Sequence, residues 1–63
     1  MLRMIEVVGQ HPDGYTEAVR SAVEKLVAEG HKVHFFTITE QRGAVREGRI
    51  AEFQAVVKVA VED

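Results

Sequence analysis

Few residues of this chain are of a type and spacing that could do chemistry. His11, His31 and His34, with Asp13 close to the first, are the candidate metal ligands. Their spacing matches no closed site, and there is no cysteine to complete one, so exposed polar histidines are the expectation and no metal site is assigned. Glu62 and Asp63 leave a weaker route, an assembly bridged by a metal ion through terminal carboxylates. Nucleophilic catalysis has no footing either, because Ser21 falls on the polar side of a helical pattern. Glu6, Glu52 and Lys58 alternate onto the same strand face as Gln54, but paired or solvated carboxylates are far commoner than catalytic ones. Glu40 and Arg42 stand two apart in a strand pattern and so side by side, as an ion pair or as a ligand contact. The chemistry on offer is that of binding and assembly, and no enzyme activity is expected.

The elements that hold these residues are legible from periodicity. Ala51, Phe53, Ala55, Val57, Val59 and Val61 alternate with Ile50, Glu52, Gln54, Val56, Lys58 and Ala60, as a half-buried antiparallel strand requires. A preceding strand puts Phe36 and Ile38 on one face and Val33, Phe35, Thr37, Thr39 and Gln41 on the other. Arg46-Glu47-Gly48-Arg49 turns the first into the second. Upstream, Met4 to Gly9 is a short β-branched strand that stops at glycine, with Ile5 and Val7 on one side. Gln10 to Gly14 is turn chemistry, with Asp13 or Gly14 as the helix N-cap. A helix follows from about Tyr15 to Glu29, its apolar stripe made of Tyr15, Ala18, Val19, Ala22, Val23, Leu26 and Val27. Gly30 sits where a left-handed C-terminal cap belongs.

The order is β-α-β-β, an α+β fold with a three-stranded antiparallel sheet wrapped on one helix, as a single domain over residues 1–63. One helix covers one sheet face, the face expected to carry Ile5, Val7, Phe36, Ile38, Phe53, Val57 and Val59. The other keeps Met4, Val8, Val33, Phe35, Ile50 and Val56 among Thr37, Thr39, Gln41, Gln54 and Lys58. That mixture is too apolar for bare water, and contiguous patches of this kind mark interfaces. Sixty-three residues with no disulfide lie near the lower limit for a self-sufficient core. A homo-oligomer is therefore expected. Eight basic and ten acidic residues, mixed along the chain, offer no phosphate-tracking surface, so nucleic acid is not an expected partner. No apolar run is long enough to span a bilayer and the start does not read as a signal peptide, so no membrane partner is expected and a cytoplasmic location is.

Two strings carry a family resemblance. Ile5-Glu6-Val7-Val8-Gly9, Pro12 and Glu17-Ala18-Val19-Arg20-Ser21-Ala22-Val23 resemble the first half of a dodecin. Phe36-Thr37-Ile38-Thr39-Glu40-Gln41-Arg42-Gly43, then Gly48, Ile50, Phe53-Gln54 and Lys58-Val59, resemble the second. The Glu-x-Arg-Gly segment and the aromatic-Gln pair are the most specific parts. Dodecins are small β-α-β-β proteins that assemble into hollow dodecamers, and many hold flavins (riboflavin or FMN) between subunits, for storage rather than catalysis. The resemblance implies a flavin site in which Phe35 stacks on the ring, Gln54 reads its polar edge and Arg42 lies near.

Phe35 stands where flavin-binding members have tryptophan. Its smaller face should weaken stacking, where an aromatic–base stack is worth about 1–3 kcal/mol. Alternation puts Phe35 and Gln54 on one face but Arg42 on the opposite one, unless a bulge near Gly43 re-aims it. The chain also stops short of the basic C-terminal residue common in the family, leaving Arg3, Arg42 or Arg49 for any phosphate. The readings that stay open are a flavin-storing dodecamer and an oligomeric shell or scaffold that has lost the flavin, or takes another small ligand or a metal ion.

Overall fold

The computed structural model describes residues 1–62; Asp63, named above for metal bridging, lies outside the described residues. The elements run β1 (Leu2–His11), α1 (Tyr15–Ala28), β2 (Lys32–Arg46) and β3 (Arg49–Glu62). They form one antiparallel sheet in the order β1-β3-β2, so β3 is central and both other strands are edges. That position explains its composition. Ala55, Val57, Val59, Ala60 and Val61 are fully buried, whereas nearly all of β2 is exposed.

The helix lies on the face of Val57 and Val59, with Ala18, Val19, Ala22 and Leu26 buried against them. Its seat is Gly9. A Cβ built there would fall 2.0 Å from the Ala18 carbonyl oxygen and 2.9 Å from the Ala22 Cβ. This corrects the expectation that the strand ends at Gly9. β1 runs two residues further, and the glycine is there to let helix and sheet touch. Of the two candidate N-caps, Gly14 holds the position, without a side-chain hydrogen bond. Asp13 instead gives its backbone N–H to His11 Nδ1 at 3.1 Å, closing the turn. At the other end Gly30 N–H donates to the Val27 carbonyl and His31 N–H to that of Leu26, the double bond of a Schellman cap, with Gly30 at φ 95°.

Glu47 and Gly48 both take positive φ, 53° and 75°, so a two-residue turn of type I′ character joins β2 to β3. The hairpin outruns the helix. Fourteen strand residues span about 46 Å, against about 21 Å for a fourteen-residue helix. The protomer is accordingly 45 × 20 × 13 Å, with a radius of gyration of 12.6 Å, where about 10.6 Å suits a compact chain of this length. Phe36 and Ile38, expected under the helix, stay 46% and 41% exposed because α1 sits mainly over β1 and β3. No helix among the described residues is long and apolar enough to cross a membrane.

Candidate site on the outer sheet face

β2 is bulged, and the bulges decide which side chains meet. Register shifts fall between Val33 and Phe35, between Ile38 and Glu40, and between Ala44 and Val45. The first two insert an extra residue in β2, His34 and Thr39, and the third one in β3, Ala51. Each switches the facing of the residues beyond it on its own strand, so Ile50 lies opposite the outer face on which alternation placed it. Val33 pairs with Val61 and Gln41 with Ala55, so both lie on the helix side rather than on the outer face expected from alternation. Thr39 is the extra residue of the second bulge, and its hydroxyl donates to the Val56 carbonyl at 3.2 Å. Beyond it, Glu40 and Arg42 turn outward. Arg42 thus reaches the outer face by a bulge three residues upstream of it, not by one at Gly43.

Arg42 pairs with Gln54 and donates through Nε to Gln54 Oε1 at 2.8 Å. Its Nη1 also reaches Glu40 Oε2 at 3.2 Å, so the ion pair and the contact with Gln54 coexist. Gln54 Nε2 in turn donates to Glu52 Oε1 at 2.7 Å. Because arginine only donates and a carboxylate only accepts, this chain fixes which end of the Gln54 amide points which way. On its other side Gln54 is paired with Gln10 of β1, which makes a polar row Gln10, Gln54, Arg42 across all three strands.

Phe35 stands elsewhere on the same face. It pairs with Ala60, whose other neighbour is Met4, and is 52% exposed. Ala60 and Gln54 are six residues apart along β3, about 20 Å at the usual strand rise. No single flat ring touches Phe35 and Gln54 of one protomer. Between them lie the rows Glu6, Lys58, Thr37 and Val8, Val56, Glu40. Two of the three residues singled out from the sequence are thus brought together, and the third is held apart.

Glu52 and Gln10 carry no role that the sequence alone assigns. Cross-strand pairing is the signal that finds Gln10, and it needs a register that the bulges conceal. Two of the histidines have side-chain partners, His11 with Asp13 and His34 with Glu62. His34 Nε2 lies 2.8 Å from Glu62 Oε1, and Lys32 Nζ lies 3.6 Å from Glu62 Oε2. No group of three or more potential metal ligands occurs among the described residues.

A half-covered β-α-β-β protomer, with one helix on one face of a three-stranded antiparallel sheet and exposed apolar side chains beside an oriented amide on the other, defines a class of small α+β protein. The chain belongs to the dodecin family, whose sequence profile matches residues 1–62. Dodecin from Streptomyces davaonensis superposes with a TM-score of 0.93 at 30% identity, over 100% of this chain and 94% of that one. Dodecin from Streptomyces coelicolor gives 0.93 at 34% identity, over 100% and 91%. A Thermus thermophilus dodecin mutant with phenylalanine in place of a tryptophan gives 0.91 at 26% identity, over 100% and 97%. No curated protein sequence matches.

Proposed function

We propose that this chain is a homo-oligomeric flavin-binding protein, dodecameric in keeping with its family, that stores or sequesters riboflavin or FMN at sites between subunits and catalyses no reaction. The observation that carries this reading is the Arg42–Gln54 pair on a sheet face the helix leaves open. Its amide is oriented with one N–H and one lone pair to spare, a match for the carbonyl and N–H edge of a flavin ring. Phe35 supplies the flat apolar surface. Since Phe35 and Gln54 of one protomer are too far apart to share a ring, a complete site takes Phe35 from one copy and Gln54 with Arg42 from another.

The uncovered faces support assembly independently. Met4, Val8 and Phe35 on the outer face are 50%, 54% and 52% exposed, an apolar area that a lone chain of this size leaves costly in water. Native mass measurement with any co-purified chromophore retained, followed by titration of riboflavin fluorescence, tests both halves. A dodecamer that quenches riboflavin at micromolar protein supports the reading. A colourless dodecamer that quenches nothing at saturating flavin leaves an oligomeric scaffold, the alternative favoured by the smaller ring of Phe35. A monomer at high dilution removes both.

A further inference from the structure

We infer that Glu52 is a positioning residue for Gln54 and sets which ligand edge the site accepts. Glu52 and Gln54 are two apart on β3 and so share the outer face, and both are half-buried. The Glu52 carboxylate accepts from Gln54 Nε2 at 2.7 Å while Arg42 Nε donates to Gln54 Oε1 at 2.8 Å. The amide is gripped from both ends by charged groups of opposite sign. A carboxylate has no proton to give and a guanidinium no lone pair, so a flipped amide would oppose donor to donor and acceptor to acceptor.

This grip has two effects on binding. The outward half of the amide always offers the same pattern, donor on the Glu52 side and acceptor on the Arg42 side. Each charged partner also polarises the amide, strengthening the bond made at its other end. A site built to hydrogen-bond an N–H rejects a ligand lacking it, because a desolvated acceptor is left unpaired. Glu52 thereby confers discrimination for a ring bearing an imide N–H over the same ring methylated at that nitrogen. This discrimination rests on the flavin-site reading; the orientation of Gln54 does not.

The experiment has one readout for each. The chain contains no asparagine and only three glutamines, Gln10, Gln41 and Gln54, so its side-chain NH2 signals in a nitrogen–proton correlation spectrum are three pairs. Gln54→Ala assigns the pair of interest. In Glu52→Ala the Gln54 pair should move toward free-glutamine positions and exchange with water at least threefold faster, with Gln41 unmoved. Unchanged Gln54 signals in Glu52→Ala overturn the inference whether or not any ligand binds.

The second readout compares riboflavin with riboflavin methylated at its imide nitrogen. The assembled protein should prefer the unmodified ring at least tenfold, and Glu52→Ala should cut that preference threefold or more at unchanged native mass. Equal weakening for both ligands means a structural role only and overturns the specificity claim. Glu52→Gln, which keeps the shape and can still accept, should restore part of the preference. A wild-type protein that binds neither flavin defeats the proposed function, and the spectrum alone then decides the role of Glu52.

Discussion

Arg42 and Gln54 stand opposite each other across β2 and β3, and the guanidinium Nε donates to the amide oxygen at 2.8 Å. Both are partly exposed, so the bond adds little to the stability of the protomer. Its consequence is orientation. A planar fork that also reaches Glu40 cannot swing without breaking one of two contacts.

Arg42→Lys tests that geometry. Lysine keeps the positive charge near Glu40 but loses the planar array that holds two partners at once. Flavin affinity should fall about tenfold, equivalent to about 1.4 kcal/mol, with native mass unchanged. Titration of riboflavin fluorescence against both proteins measures it, and equal affinities would reduce Arg42 to a counter-ion for Glu40.

Phe35→Trp should strengthen flavin binding by about one decade, and Phe35→Ala should abolish it. Indole offers more area and a stronger quadrupole than phenyl, and the whole aromatic stack is worth about 1–3 kcal/mol. The same titration reads both variants. Indifference to both would mean that Phe35 serves only to pack against another copy.

Co-assembly of two defective chains separates a shared site from one built within a protomer. Phe35→Ala and Gln54→Ala should each bind no flavin alone. Co-expressed at equal levels, they should recover about a quarter of the sites, the statistical share for random mixing in a symmetric oligomer. No recovery in verified mixed assemblies would place both residues in the same protomer's site, against their separation along β3.

The sequence made the fold legible because it alternates cleanly where the structure is regular. Val57 and Val59 under the helix, the Ala18–Leu26 stripe and the Glu47-Gly48 turn all follow from period and turn chemistry. The site was half legible. Phe35 and Gln54 share a face as alternation predicts, and resemblance alone supplied Arg42. What hid Arg42 is Thr39: no residue type there announces a bulge, and one unpaired residue reverses the facing of everything downstream. Val33 and Gln41 were misplaced by the same mechanism. The half-exposure of Phe36 and Ile38 was hidden for another reason, since a pattern says which face is apolar but not how far one helix reaches across three strands.

Gly9→Ala should destabilise more than any other single-methyl addition in the strands. The new Cβ would sit 2.0 Å from a backbone oxygen of α1, which no side-chain rotation relieves, so the helix must lift off its seat. Overpacking of this kind costs about 1–3 kcal/mol and sometimes more. We expect the upper end, read as a lowered midpoint in denaturant, with Gly43→Ala as the comparison. There the closest atom is a carbonyl oxygen at 3.2 Å, and the loss should be well under half as large.

Val8→Lys tests whether the outer face is closed by sister copies. Val8 pairs with Val56 in the row next to Gln54, between it and the Phe35 row, is 54% exposed, and faces away from the core of its own protomer. Removed from water by a partner, a lysine there would lose its hydration, which Glu6 two residues away on the same face offsets only in part, a cost of several kcal/mol repeated at every equivalent contact. In a lone protomer the same lysine would simply be solvated. The substitution should therefore shift the native mass to small species, lower the thermal midpoint and make it depend on protein concentration. Val8→Thr, close in size and uncharged, should keep the assembly at reduced stability. An unchanged mass and midpoint in Val8→Lys would mean that this face stays wet in the assembled protein, and a flavin site shared between copies could not lie there.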